Sequence, residues 1–298
     1  MSAAFSQTTR QDAAAATTYP FSDDDFTVIA RTAHRDFGLH LTIAKKDLVY
    51  TRLTNRIRQL GLGDFASYCR LLQGDAASDE RSHLLSALTT NVTHFFREGH
   101  HFDTLRDKVL PPLVEAARKG KRLRIWSAAC SAGQEAYSLA MTVLTVCPKA
   151  SQLDIRILAT DIDPVILEKA RNGTYDNDEL TALPGPMRDQ FTTPANTSRF
   201  SITAAARDLI TFGELNLMNA FPFKGPFDAI FCRNVAIYFD KPTQERLWGR
   251  FGELLPDGGH LFIGHSERVS GPAAGWFQSA GVTTYRKTSA PTARASDQ

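Results

Sequence analysis

The sequence predicts an α/β protein in two parts, an all-helical N-terminal domain followed by a doubly wound, Rossmann-like domain. The first third shows helical periodicity broken only near glycines. After Pro111-Pro112 and Gly120, short apolar strands alternate with amphipathic helices, the pattern of a parallel sheet covered on both faces. Residues 178–207 interrupt that alternation with a short helix and the polar stretch TTPANTSRFSIT, which reads as a small insertion.

The helical domain is expected over 21–90. Ser22-Asp23-Asp24-Asp25 sets a capping residue and acids at a helix start, where free amides and the positive dipole end favour them. Phe26, Ile29, Ala30 and Ala33 continue at helical spacing. Further helices are expected at about 45–60, 64–73 and 78–90, broken near Gly38, Gly61-Leu62-Gly63 and Gly74. Residues 91–120 read as a linker. In the second domain, 121–288, strands are expected at LRIWSA (123–128), DIRILATD (154–161), DLITFGELN (208–216), FDAIFCRN (227–234), GHLFIGH (259–265) and 283–287. Helices are expected at 135–146, 164–173 and 242–255. Residues 1–20 and 289–298 read as a disordered leader and tail.

Composition excludes several classes. A net charge of +2 over 298 residues is too small to make nucleic acid the main partner. No apolar run approaches a membrane span, and the N-terminus lacks the basic start and apolar segment of a signal peptide. The four cysteines include no C-x-x-C pair, which fits a reducing cytosol and a cytoplasmic protein. His94, His100, His101 and His265 match no metal-ligand spacing, so no metal is expected.

Candidate chemistry gathers at expected strand ends, where ligands bind in doubly wound folds. WSAACSAGQE follows the first strand and opens a helix; Gly133 is its single glycine, which argues against a pyrophosphate cradle and a nicotinamide dehydrogenase. Glu135 is either a helix-start acid or a holder of a ligand's ammonium group. Asp161 is placed to accept from ribose hydroxyls, while Asp163 reads as the cap of the next helix. Asn216 could meet an adenine edge with Leu217 on the base, or simply close an Asx turn. Arg233-Asn234 end a strand, and Tyr238 follows with a hydroxyl able to reach the cleft. Ahead of the first strand, TTNVTHFFREGHH carries Asn91, Thr93 and Arg97 around Phe95 and Phe96, unlike a solvated linker. Arg52 and Arg56 share a helix face, either a solvated surface or a docking face for an acidic helical partner.

Taken in order, TNVTHFFRE, RIWSAACSAGQEAYSLA, ATDIDPVILEKARNGTY, FGELNL, GPFDAIFCRNVAIYFDK and LFIGHSE resemble the chemotaxis receptor protein-glutamate O-methyltransferases. The resemblance implies a helical domain joined to a class I methyltransferase domain that uses S-adenosyl-L-methionine and carries a small inserted antiparallel β-subdomain. It implies that Asn91, Thr93, Arg97, Glu135, Asp161, Asn216, Leu217, Arg233 and Asn234 form the cofactor site, with Arg97 and Tyr238 flanking the transferred methyl. The partner implied is the cytoplasmic helical domain of chemoreceptors. Residues 131–138, Ser-Ala-Gly-Gln-Glu-Ala-Tyr-Ser, depart from the usual S-T-G-E-E-P-Y-S but keep Glu135. TTPANTSRFS is short and lacks the glycine-containing loop with which some members hold a receptor's C-terminal peptide, so action independent of that tether is expected. Two alternatives stay open: a methyltransferase for another acceptor, and a non-catalytic S-adenosylmethionine-binding adaptor.

Overall fold

A computed structural model describes residues 18–74, 78–89 and 92–288. The first four helices are α1 (Asp23–Phe37), α2 (Lys46–Gln59), α3 (Phe65–Gln73) and α4 (Ser78–Leu88). At the start of α1, Ser22 Oγ accepts from the Asp25 amide and the Asp25 carboxylate accepts from the Ser22 amide, so two otherwise orphaned donors are satisfied reciprocally. The helix ends at Gly38, whose φ of 73° suits a residue without a Cβ. The end of the expected leader is packed: Tyr19 is buried, and its amide donates to the Tyr50 hydroxyl.

The expected partner-binding pair is bonded within the helical domain. Arg56 makes a two-pronged ion pair with buried Glu80, its Nη2 lying 2.6 Å from Oε2, and Arg52 Nη1 donates to the Leu88 carbonyl at 2.6 Å. Both arginines therefore tie α2 to α4 within the domain, because a buried carboxylate and a helix-end carbonyl both need donors.

The expected linker is largely helical. Helices α5 (His100–Thr104) and α6 (Leu110–Arg118) are joined through a π-helical turn at Leu105–Val109. The linker reading underweighted a helical stripe: Phe102, Leu105, Val109, Leu110, Val114 and Ala117 are buried.

The second domain runs β1 (Leu123–Ala128), α7 (Gln134–Val146), β2 (Ile155–Asp161), α8 (Pro164–Asn172), β3 (Thr174–Asp176), α9 (Gly185–Phe191), β4 (Thr192–Pro194), β5 (Arg199–Ile202), α10 (Ala204–Arg207), β6 (Ile210–Glu214), β7 (Ala229–Cys232), α11 (Lys241–Leu254), β8 (His260–Ile263), β9 (Phe277–Gly281) and β10 (Thr284–Lys287). Seven strands form one sheet in the order β6-β2-β1-β7-β8-β10-β9. Neighbours from β6 to β8 are parallel, and β10 is antiparallel to both β8 and β9. The strand order reverses between β1 and β7, which opens a crevice at their carboxyl ends. A second sheet, β3-β5-β4, is antiparallel and three-stranded, and is inserted between β2 and β6.

Strand alternation explains the layers. Trp126, Ile230, Cys232, Leu261 and Ile263 join one core, while Ile125, Ala229, Phe231 and Phe262 point to the other. The first core is continuous with Ile29, Leu53, Phe65 and Leu84, so the helical domain covers one face of the sheet together with α11. Polar ties reinforce that contact. The Asn216 carboxamide donates to the Asp36 carbonyl at 2.7 Å, the His40 amide to the Tyr238 carbonyl at 2.8 Å, and Ser86 Oγ to Asp163 at 2.5 Å.

Asp163 caps α8 with one oxygen, accepting from the Val165 and Ile166 amides, and receives Ser86 with the other. Asp163→Ala should therefore cost about 1–3 kcal/mol, a cap plus an interdomain bond. Urea unfolding should show a larger loss for Asp163→Ala than for Ser86→Ala, which leaves the cap in place.

Candidate active site

The crevice between β1 and β7 is a cleft of about 1010 Å³, counting its open mouth. Thr93, Arg97, Glu135, Asp161, Asn216, Leu217, Arg233, Asn234 and Tyr238 all line it. Asn91 lies outside the described residues. Phe37, Leu39, Leu85 and Thr89 of the helical domain complete the wall.

The floor is the turn from β1 into α7. Ala129, Ser131 and Gly133 have φ of 66°, 51° and 94°, a tight backbone path that brings main chain against the cleft. Gly133 is fixed by space as well: a Cβ there would come within 2.9 Å of the Ala170 Cβ. The Ser131 amide donates to Asp161 Oδ2 at 2.8 Å and the Asp163 amide to Oδ1 at 3.0 Å. Burial raises the Asp161 pKa against these bonds. Cys130 is buried and its thiol is pushed well up, so it packs rather than reacts.

Phe95 and Phe96 hold the segment before α5 in the wall. Phe95 is buried 5.0 Å from the Tyr175 ring and 6.1 Å from Phe200, both in the inserted sheet. The Phe96 amide donates to Ser138 Oγ on α7 at 3.0 Å. Tyr175 also donates to the Ala132 carbonyl at 2.7 Å, so the inserted sheet supports both this wall and the floor. Arg97 bonds the Val92 carbonyl at 3.1 Å through Nη1.

Arg233 is the centre of the polar network. Its side chain is only 2% exposed, with Nη1 3.2 Å from Glu135 Oε2 and Nη2 3.4 Å from Glu98 Oε2. Nη2 also donates to the Arg97 carbonyl. Ser127 donates to the other Glu135 oxygen at 2.7 Å. Burial raises the Glu135 pKa, and Arg233 and Ser127 counter it. For Glu98, burial is outweighed by Arg233, the His265 hydrogen bonds and His101, and the pKa falls to about 2. Asn234, at φ 59°, donates its amide to Glu267 at 3.1 Å; Glu267 also accepts from the Gly264 and Ile237 amides at 2.6 and 3.2 Å. Glu267 thus locks the turn that carries Arg233, Asn234 and Tyr238.

Two sequence alternatives resolve here. Asn216 lines the cleft, but its Oδ1 closes an Asx turn onto the Met218 amide at 2.9 Å while its nitrogen holds Asp36. Its carboxamide shapes the wall. Asp163 is the cap of α8. Glu98, Ser127 and Glu267 were not singled out as site residues. Glu98 directly follows Arg97, and Glu267 sits in LFIGHSE, but nothing local reveals which distant groups they meet.

Among the described residues, Glu98, His100 and His101 come close enough to suggest a metal. Part of this set is engaged elsewhere: Glu98 is ion-paired with Arg233 and His265, and His101 Nε2 lies 2.9 Å from Thr283 Oγ1, while His101 Nδ1 faces Glu98 Oε2 at 3.6 Å.

The parallel sheet with one reversed strand, β10, set between β8 and β9, and the acid-lined cleft at the switch point fit an S-adenosylmethionine-dependent methyltransferase. Comparison narrows the class. Residues 91–286 match the model described as CheR methyltransferase, SAM binding domain, and residues 24–89 match CheR methyltransferase, all-alpha domain. A Rhizobium etli protein named "Probable chemotaxis protein methyltransferase" is 53% identical, covering 86% of this chain and 96% of its own. An Escherichia coli "Chemotaxis protein methyltransferase" is 40% identical over 84% of this chain and 86% of its own. The chain belongs to the CheR methyltransferase family. Its cleft fits S-adenosylmethionine: Glu135 and Asp161 offer carboxylates to an ammonium and to hydroxyls, and Phe37, Leu215 and Leu217 offer apolar surface to a base.

His101 is fully buried, and desolvation, with Arg233 and His100, takes its pKa down to about 3. The unfolded chain binds a proton below about pH 6.5 and the folded one only near 3, so the stability is complete above 6.5 and drains as the pH falls towards 3. The urea midpoint should drop between pH 7.5 and 5, and His101→Gln should flatten that drop. An equal drop in the variant would assign the effect elsewhere.

Proposed function

We propose that the protein transfers the methyl group of S-adenosylmethionine to glutamate side chains on the cytoplasmic helical domain of chemoreceptors. The products would be glutamate methyl esters and S-adenosylhomocysteine, and the role sensory adaptation. The observation that carries this reading is that Arg97 and Tyr238, far apart in sequence, line the same cleft as Glu135 and Asp161. The relatives' names, chemotaxis protein methyltransferase, support a role in chemotaxis; the acceptor is the one implied by the sequence resemblance to the receptor protein-glutamate O-methyltransferases.

When bound, S-adenosylmethionine supplies an electrophilic methyl on a sulfonium. A glutamate acceptor has an ordinary pKa near ~4.3 and is already ionised at pH 7, so no general base is needed. The work left to the chain is placement and exclusion of water. Glu135 holds the ammonium end and Asp161 the ribose, while the apolar wall flanks the base. Arg97 orients a carboxylate, and Tyr238 sets its hydroxyl or ring beside the developing transfer. Neutralising a glutamate alters repulsion within a receptor bundle and so its signalling balance.

The protein is read as acting in the cytoplasm and without a receptor-tail tether. Supporting this, the four cysteines are free and buried, no helix among the described residues is long and apolar enough to cross a membrane, and the β4–β5 connection has no glycine.

The test is methyl-labelled S-adenosylmethionine with a receptor cytoplasmic fragment, counting base-labile ester. A fragment whose candidate glutamates are changed to alanine is the control. Label confined to the intact fragment is expected; label on neither, or on both, sinks the reading. Arg97→Ala should lower kcat/KM about thirtyfold, one charge-assisted hydrogen bond's worth. A rise in KM for the receptor would assign Arg97 to the acceptor, and weaker S-adenosylhomocysteine binding to the cofactor. Tyr238→Phe should keep that binding and slow turnover about tenfold.

A further inference from the structure

Arg233 is shared between two carboxylates of which only one, Glu135, lines the cleft. Glu98 lies behind it, 12% exposed, and its carboxylate meets groups from three directions. Arg233 and Asn234 approach from the end of β7, His265 from the end of β8, and His101 from α5. Two carboxylates face one guanidinium, so with both ionised the trio carries one negative charge in excess. Buried His101 is neutral at pH 7 and adds no compensating charge.

We infer that Glu98 is a positioning residue that draws Arg233 partly away from Glu135, leaving Glu135 under-neutralised and able to take the ammonium group of the ligand's amino-acid end. The geometry supports this. Arg233 gives Nη1 to Glu135 and Nη2 to the Glu98 side, and Nη2 also donates to the Arg97 carbonyl, so its second branch is held toward the segment that Glu98 belongs to. If Arg233 had Glu135 as its sole partner, the pair would be neutral and would gain little from a ligand's cation. Charge sharing within a partly dehydrated site makes the difference felt, because the field there is weakly screened. Glu98's own charge also disfavours ionised Glu135, consistent with their proximity across Arg233.

The inference rests on the reading of Glu135 as the ammonium holder, and the experiment separates the two. Calorimetry on the full chain would compare S-adenosylhomocysteine, which carries the amino-acid ammonium and carboxylate, with 5′-methylthioadenosine, which lacks both. Glu98→Gln keeps the size of the side chain and removes its charge. It should weaken S-adenosylhomocysteine about tenfold and leave 5′-methylthioadenosine unchanged. Glu98→Asp, which keeps the charge, should restore most of the discrimination. Equal weakening of both ligands by Glu98→Gln would mark a general structural role and overturn the inference, as would no change in either. Should Glu98→Gln fold poorly, Glu98→Asp decides: retained discrimination supports the inference and its loss overturns it. Glu135→Gln is the control. If it leaves the discrimination intact, the reading of Glu135 fails; if it abolishes discrimination while Glu98→Gln does not, only the role of Glu98 fails.

Discussion

A guanidinium sealed from water organises the active site. Arg233 cannot be buried without anions and acceptors around it, because an isolated charge in that setting is costly. Meeting that need draws Glu135 from α7, Glu98 and the Arg97 carbonyl from the segment before α5, and, through Glu98, His265 from beyond β8. Four stretches of chain that share no local sequence relationship are held in one place by the demands of one cation. The cleft's geometry follows from satisfying it.

The second constraint is the seam between the helical domain and the sheet. That seam is both apolar and stitched. Leu39 forms an isolated antiparallel bridge with Phe239, Asn216 binds Asp36, and Ser86 binds Asp163. These contacts fall in the segments that follow β2, β6 and β7, whose residues rim the cleft. The helical domain is therefore part of the binding site's structure, and its Phe37, Leu39 and Leu85 face the same space as Asp161.

Much of this was legible in the sequence because the signals were local. The cap at Ser22, the apolar run of β1 and the left-handed turn needing Gly133 each depend on a few neighbouring residues. Site residues at strand ends were legible because parallel strands deliver their carboxyl ends to a common edge, and every nominated cleft residue within the described chain lines the cleft. What stayed hidden depends on distant pairing. The bonds that Arg52 and Arg56 make within the domain were hidden because their partners, Leu88 and Glu80, lie on another helix. The bond from the Asn216 carboxamide nitrogen to the Asp36 carbonyl of α1 was hidden for the same reason. Glu98 and Glu267 carried no signal at all until the turns they hold were seen side by side. The helix after residue 99 was missed because the sequence around Pro111-Pro112 reads as a breaker, whereas both prolines directly follow the π-helical turn at Leu105–Val109 in a run that stays helical.

The inserted three-stranded sheet has a consequence for how this protein could be divided. Phe95 sits against Tyr175 and Phe200 of that sheet, only two residues before Arg97, and Tyr175 reaches the turn after β1. Although the sheet hangs outside the main one like an accessory, it is a foundation for the cleft above it. A version lacking only the insertion would keep every cleft-lining side chain yet strip Tyr175 and Phe200 from the Phe95 ring. Any graft or shortening of the insertion would have to rebuild that packing first.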